Sequence, residues 1–196
     1  MDDESYFTLA HSDLPSNAFY YATCKGDAPD SVKFSAVKKF ESKLLMWIAI
    51  SDRGISKPYF VPSKEAVTKE VYSNECIRKR LYPFIKKYHN DDEYLFWPDL
   101  ASSHYAKLTL QTFEDLKINY VTKDLNPPAV PSLRPIEHFW SILKSFVYKH
   151  NWQAENHNQL KRRIKSCLVK VDPEIIQSMM GNVISKLKEA KSYGVH

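Results

Sequence analysis

Several features that would assign this 196-residue chain to a familiar class of protein are missing from its sequence. It has only three cysteines, Cys24, Cys76 and Cys167, and no C-x-x-C pair. An odd number of scattered cysteines excludes a disulfide framework and a zinc site defined by spacing. No apolar run approaches the roughly 18–20 residues that a membrane-spanning helix needs. The acidic start after Met1 is unlike a secretory signal, so we expect an intracellular protein without membrane contact.

Low-complexity segments and internal repeats are also absent, and the composition, 43% hydrophobic and 26% charged, excludes wholesale disorder. The length suits one domain with a helical tail. The net charge of +5 is concentrated near the C-terminus, because residues 138–196 contain ten Lys/Arg against four Asp/Glu. Such a basic surface suits a polyanion such as nucleic acid, and the alternative is a solvated lysine-rich helix surface.

Short runs of aromatic and β-branched residues predict the strands. The seven apolar residues 44–50, LLMWIAI, are typical of a strand buried on both faces. A turn at residues 52–54 follows it and predicts a hairpin. The other predicted strands cover residues 5–9, 18–23, 57–61, 94–97 and 118–121.

The helices are predicted from apolar residues that recur at helical spacing. Pro83 should bend or interrupt the first helix, and Pro135 suits the first helical position of the third. The predicted helices cover residues 64–88, a segment from about 102, 135–148, about 158–171 and 173–191. A stiff connector with four prolines precedes Pro135. This order of elements predicts an α/β fold, a mixed sheet with helices on both faces.

Three carboxylates occupy positions that such a fold can bring together: Asp3 precedes the first predicted strand, Asp99 follows a strand end, and Glu137 lies at a helix N-terminus. Converging carboxylates repel one another unless divalent cations neutralise them, which favours a site for two Mg²⁺ or Mn²⁺ ions and phosphodiester chemistry. With 23 acidic residues in the chain, three well-placed ones also arise by chance. A metal-free glycosidase that uses Asp99 and Glu137 as acid and base is a further alternative.

Four segments carry a family resemblance. FWPDLASSHYA (96–106) resembles the second-carboxylate motif of mariner-like transposases of the Tc/mariner superfamily, and NPPAVPSLRPIEHFWSILK (126–144) resembles their Pro-rich connector and P-I-E-x-x-W helix. MDDESYFTL (1–9) resembles the D-E-x-x-F segment with the first acid, and WIAISDRGISKPYFV (47–61) resembles the W-x-A-I-S-x-x-G segment. All four occur in the family's order and together span nearly the whole chain.

The resemblance implies a ribonuclease-H-like catalytic domain of a cut-and-paste DNA transposase over residues 1–150, with a basic helical extension at 151–196 packed on the same domain. Asp3, Asp99 and Glu137 would be its catalytic metal ligands for two Mg²⁺ or Mn²⁺ ions, and Asp2 would be a bystander. The 37 residues between Asp99 and Glu137 agree with a Glu-ending triad. Leu100 stands where many relatives have Asn. The implied partners are transposon-end and target DNA and a second copy in a homodimer, with no small-molecule substrate, and the implied location is the nucleus.

Basic residues near these motifs are candidate DNA contacts, with ordinary surface or helix-cap positions as the alternative. By contrast, Phe139 and Trp140 lie on an apolar stripe, so we predict that they are core residues rather than base-stacking ones. The candidates for DNA contact are His104, Arg134, Lys144, Lys161, Arg162, Arg163 and Lys165.

The resemblance also raises an expectation about the start of the chain. Members of the family carry a DNA-binding domain before the catalytic one, and here only two residues precede Asp3. We therefore expect a fragment or truncated product whose first strand is cut short, with Asp3 on a fraying end and impaired activity. The alternative function is a catalytically inactive protein that binds DNA or another transposase copy.

Overall fold

The structure is a computed structural model that describes residues 1–9, 42–90, 93–127 and 133–193. The strand predicted at residues 18–23 lies outside the described residues. None of the helices in the described segments is both long and apolar enough to span a membrane.

The second strand organises the sheet. The strands are β1 (Asp2–Thr8), β2 (Lys43–Ser51), β3 (Gly54–Ile55) and β4 (Tyr59–Phe60), and β2 pairs antiparallel with each of the others. The prediction for residues 44–50 is confirmed, because β2 is buried on both faces over most of its length. The hairpin after it forms with two short partner strands in place of the single one predicted at residues 57–61.

The first strand is held by a continuous ladder. Asp2 lies opposite Ala49 and Asp3 opposite Ile48. Met1 continues the pairing, since the N–H of Ile50 donates to the Met1 carbonyl at 2.8 Å. The expectation that Asp3 lies on a fraying end is therefore wrong for this structure, because backbone hydrogen bonds to β2 extend past it in both directions.

The strands predicted at residues 94–97 and 118–121 are reduced to one parallel bridge between Phe96 and Tyr120. Its hydrogen bonds run from the N–H of Phe96 to Asn119 and from the N–H of Val121 to Phe96, each at 2.8 Å. Pro98 has no N–H to donate, so the ladder cannot continue along this segment. Asp99 thus follows a strand-like segment, as predicted, and the parallel bridge makes the pairing mixed.

Six longer helical segments and a short 3-10 helix (Lys149–Asn151) complete the described part of the chain. The first, α1, runs over residues 69–88 and consists of an α-helical turn (Lys69–Val71), a π-helical segment (Tyr72–Leu81) and an α-helical end (Tyr82–Tyr88). The others are α2 (Lys107–Asp115), α3 (Pro135–Val147), α4 (His157–Val169), α5 (Pro173–Gly181) and α6 (Val183–Tyr193).

Three helix predictions need correction in detail. The first helix continues through Pro83, which lies at the start of its last α-helical part, where a missing N–H is tolerated. The second helix begins only at Lys107, because residues 101–104 form a turn closed by a hydrogen bond from the N–H of His104 to Ala101. The last predicted helix is divided in two at Asn182. Pro135 is the first residue of α3, as predicted.

The sheet is covered on both faces. Residues of β2 that include Met46 and Ile48 pack with α3, α4 and α5 in one apolar core. Trp47 and Ala49 point to the opposite face and pack with α1 and α2 in a second core. This is the predicted α/β layering, and α4 and α5 share a core with the sheet. The division at residue 150 stays a prediction.

Candidate metal centre

Three carboxylates converge where β1 meets the segment after Phe96. Asp3, Glu4 and Asp99 each contribute an oxygen, and these oxygens all lie within 4.8 Å of one another. All three side chains are partly buried. Hard oxygen donors at this spacing are the ligand type that Mg²⁺ and Mn²⁺ prefer.

Asp3 is held against helix α3. The indole Nε1 of Trp140 donates to Asp3 Oδ2 at 2.7 Å. Burial raises the pKa of Asp3 to about 7, and the nearby charges of Glu137 and Glu4 add to this effect, while the Trp140 hydrogen bond opposes it. When Asp3 is ionised, its carboxylate lacks a compensating positive charge, and a divalent cation would supply one.

Glu4 is paired with a buried imidazole. Its Oε1 lies 3.3 Å from Nε2 of His104, whose Nδ1 lies 3.2 Å from the Asp99 carbonyl oxygen. The His104 ring stacks on Tyr72 with a centroid distance of 3.8 Å. Burial disfavours the imidazolium, but the charges of Asp2, Glu4 and Asp99 outweigh burial and raise the pKa of His104. His104 therefore connects two of the three converging segments.

Asp2 is a structural residue and not a bystander. Its side chain is completely buried, and it accepts hydrogen bonds from Trp47 Nε1 at 2.9 Å and from the Tyr72 hydroxyl at 2.6 Å. Its other oxygen accepts the backbone N–H of Asp99 at 3.3 Å. Adjacent strand residues point to opposite faces, so Asp2 supports the site from the α1 face while Asp3 faces α3.

Glu137 lies beside the cluster and not inside it. It is exposed in the first turn of α3, one helical turn before Trp140, and so shares that residue's side of the helix. Its charge is one of the contributions that raise the pKa of Asp3, after burial. Of the three predicted ligands, the structure thus brings Asp3 and Asp99 together and leaves Glu137 at their edge.

Two of the predicted DNA contacts are interior residues. His104 is fully buried, and Arg134 is only 9% exposed. Arg134 donates to two backbone carbonyls, those of Asp2 and Pro98. Little surface of Arg134 and none of His104 is accessible in this structure, and their contact with DNA stays a prediction.

The remaining basic candidates lie on α3 and α4. The Lys144 ammonium lies 5.6 Å from the Phe7 ring centroid. Lys161 and Lys165, one turn apart, lie 5.9 and 5.8 Å from the Phe60 ring centroid, which is a cation–π geometry. Arg162 is exposed. These residues remain candidates for contact with a phosphate backbone.

Arg163 has a structural role. It donates from Nε to the Val147 carbonyl at 3.1 Å and from Nη2 to the Phe146 carbonyl at 3.2 Å, and it lies over the Trp152 ring. These carbonyls belong to the last turn of α3, which leaves its final carbonyl groups without helical partners.

We expect Arg163→Met to lower the free energy of unfolding by about 1–3 kcal/mol, because it removes two charge-assisted hydrogen bonds. Urea denaturation measures the change, and Arg162→Met is the matched control because Arg162 is exposed on the same helix. Equal stability of the two variants would contradict the assignment.

The fold is similar to that of solved transposase structures. The Mos1 mariner paired-end complex with Mn matches 100% of this chain and 55% of that chain, with 15% identity and a TM-score of 0.76. The catalytic domain of Mos1 mariner transposase matches 79% of this chain and 76% of that chain, with 15% identity and a TM-score of 0.67. The chain has the fold of a mariner transposase catalytic domain.

Other matching structures include the Mos1 paired-end complex with the left transposon end, at a TM-score of 0.72 and 16% identity, over 99% of this chain and 54% of that one. Mos1 catalytic-domain structures with Mn and with Mg also match. The chain spans about half the length of the Mos1 chains in the paired-end complexes. No protein-family model matches the sequence, and no curated protein matches it.

The sequence did not predict the roles of two residues at the site, Glu4 and Asp2. Glu4 was overlooked because strand alternation directs it away from Asp3, although it stands inside the D-E-x-x-F motif. The structural role of Asp2 was not predicted, because two of its partners, Trp47 and Tyr72, lie 45 and 70 residues away along the chain. No signal in the spacing reveals contacts at that distance.

Proposed function

We propose that this chain is the catalytic domain of a DNA transposase that cleaves and transfers DNA strands with the help of divalent cations. The observation that carries the proposal is the convergence of Asp3, Glu4 and Asp99, with Glu137 beside them, in a mariner-type fold. Of these carboxylates Glu4 is paired with the His104 imidazole, and a divalent cation would relieve the repulsion among the converging charges.

The donor set fits Mg²⁺ or Mn²⁺. Asp3 and Asp99 would hold an ion directly, Glu137 would approach from the first turn of α3, and Glu4 is an additional oxygen donor within reach. Divalent ions at such a site activate the attacking water or hydroxyl group and stabilise the leaving oxygen at phosphorus. A pair of ions is the arrangement that the family resemblance implies.

The protein's own groups prepare this site. Trp140 orients the Asp3 carboxylate through its indole N–H, and His104 orients Glu4. Asp2 holds the backbone of Asp99 in place. Exposed basic residues of α4, such as Arg162 and Lys165, supply positive charge that would favour a DNA backbone. The homodimer and the nuclear location stay predictions.

The experiment that tests the proposal is a nicking assay. The purified chain is incubated with supercoiled plasmid in Mn²⁺, Mg²⁺ or EDTA, and Asp99→Asn is compared with Asp124→Asn. Asp124 is an exposed aspartate in a turn, so its substitution is a matched control. We expect nicking with either metal, none in EDTA, and loss only in Asp99→Asn.

Two other outcomes of this assay would overturn the proposal. Nicking that persists in EDTA would indicate metal-free phosphodiester cleavage and would overturn the proposal. Salt-dependent DNA binding without nicking in either metal would overturn it in favour of the inactive DNA-binding protein.

The raised pKa of Asp3 leads to a pH prediction. Below about pH 7 this carboxyl group carries a proton that a cation must displace, and above it the group is ionised. We therefore expect Mn²⁺ affinity to increase about tenfold between pH 6 and pH 8. Isothermal titration at pH 6, 7 and 8 measures this, and an affinity that does not change with pH would contradict it.

A further inference from the structure

Arg134 occupies an unusual position at the junction of the three acid-bearing segments. It is buried, it directly precedes Pro135, and it is the N-cap residue of α3, which carries Glu137. Its guanidinium lies 5.8 Å from the Trp97 ring centroid. The side chain therefore runs from the start of α3 into the space between β1 and the segment that carries Asp99.

The guanidinium is bonded to both of these segments. Nη2 donates to the Asp2 carbonyl at 2.7 Å, and Nη1 donates to the Pro98 carbonyl at 3.2 Å. Each acceptor is the carbonyl of the residue that immediately precedes a candidate ligand, Asp3 in one case and Asp99 in the other. One planar group thus fixes the distance between the two peptide units that lead into the ligands.

Backbone pairing between β1 and the segment that carries Asp99 is weak, so side-chain contacts are needed to join them. Within the described residues, regular strand pairing of β1 is with β2 alone, and the Asp99 segment has one bridge, on the side of Tyr120. Pro98 has no N–H, so it cannot donate to β1. The links between β1 and this segment include the Asp2 contact with the N–H of Asp99 and the two bonds of Arg134. Side-chain hydrogen bonds replace a backbone ladder there.

From this geometry we propose that Arg134 is a positioning residue that sets the separation of Asp3 and Asp99 for a divalent cation. The proposal rests on the proposed function, since it concerns the same carboxylates. Metal ligands need to be held within about half an ångström of their working geometry. Lysine cannot reproduce the arrangement, because its single ammonium lacks the rigid fork that reaches two carbonyls at once.

The test compares Arg134→Met and Arg134→Lys with the unmodified chain. Mn²⁺ dissociation constants are measured by titration calorimetry, thermal stability is measured without metal, and plasmid nicking is measured over a range of Mn²⁺ concentrations. Arg78→Met is the matched control, because Arg78 also links two segments, α1 and α2, through its ion pair with Asp115 at 3.0 Å.

We expect both Arg134 variants to bind Mn²⁺ about 10–100-fold more weakly, the range for a lost supporting contact to a metal ligand. Nicking should return when Mn²⁺ is raised, because Asp3 and Asp99 are still present, whereas Asp99→Asn should not recover. Arg78→Met should lose stability without a change in Mn²⁺ affinity. Arg134→Lys keeps the positive charge. If Arg134→Met does not fold, Arg134→Lys alone still tests the proposal.

A fall in thermal stability with an unchanged Mn²⁺ dissociation constant in either folded Arg134 variant would overturn the proposal and leave Arg134 as a structural residue. An unmodified chain that does not bind Mn²⁺ would overturn it as well. Failure of the proposed function has a different signature: Mn²⁺ binding that depends on Asp99 and Arg134, without DNA nicking, would reject the transposase activity and retain the role of Arg134.

Discussion

Asp3→Asn should make the metal-free protein more stable while removing its metal-dependent activity. The carboxyl group has a pKa of about 7 in the folded chain against 3.8 as its ordinary value. The folded state therefore holds this proton more tightly than the unfolded state, and stability falls as the pH rises from about 4 to 7. Above pH 7 the folded chain contains an ionised, largely buried Asp3, and the full cost in stability, the penalty, is present.

Asparagine removes this penalty and keeps an oxygen that can accept the Trp140 indole N–H. Each unit of pKa corresponds to about 1.4 kcal/mol, and partial solvent access reduces the effect, so we expect about 1–2 kcal/mol of added stability at pH 8. At pH 4 the two proteins should differ little. Because asparagine is a poorer cation ligand, Mn²⁺-dependent nicking should fall at least about 100-fold.

Thermal unfolding at pH 4 and pH 8, with and without Mn²⁺, measures both effects. Glu114→Gln is a control that neutralises an exposed acid on α2. The idea fails if Asp3→Asn is less stable than the unmodified chain at pH 8 without metal, or if Mn²⁺ stabilises both proteins equally. Such a result would mean that the carboxylate is already compensated in the bare protein.

Asp2→Ala changes the residue before Asp3 in β1, and it should make the protein less stable. It leaves two buried donors, Trp47 Nε1 and the Tyr72 hydroxyl, and the partly buried N–H of Asp99 without this acceptor. Unsatisfied buried donors cost about 1–3 kcal/mol each, with partial relaxation, so we expect a loss of about 3–5 kcal/mol. For a chain of this size the midpoint of thermal unfolding should fall by about 10 °C.

Denaturant unfolding of Asp2→Ala beside Asp52→Ala, an exposed aspartate, tests this expectation. A second comparison places Asp2→Ala in a Tyr72→Phe background, where one donor is already absent and the added loss should be smaller. If Asp2→Ala and Asp52→Ala unfold at the same denaturant concentration, Asp2 does not have the structural role assigned to it.

Local sequence patterns predicted those elements whose environment is uniform along their length. Residues 44–50 are apolar on both faces and form β2, and the apolar stripe after Pro135 forms α3. The segment with Asp99 was predicted as a strand, but its pairing is a single bridge, because whether a short apolar run extends into a ladder depends on its neighbours.

The sequence predicted only part of the candidate site. Asp3 and Asp99 come together in the structure, as the family resemblance implied. The burial of His104 and Arg134 was not predicted, since their acceptors on Glu4 and Asp2 lie 100 and 132 residues away. In sequence a buried arginine and a DNA-binding arginine look alike, and only the tertiary fold distinguishes them.

The contact between Trp140 and Asp3 gives the protein a built-in optical reporter. The indole ring packs in the apolar core against Phe7 and Phe139, while its Nε1 touches the carboxylate that a cation would bind. Arrival of Mn²⁺ should change the electric field at this ring and alter its fluorescence, without any label. Trp140→Phe should remove the response, whereas Trp152→Phe, which changes a residue beyond the C-terminal end of α3, should preserve it. The reverse pattern would contradict the assignment.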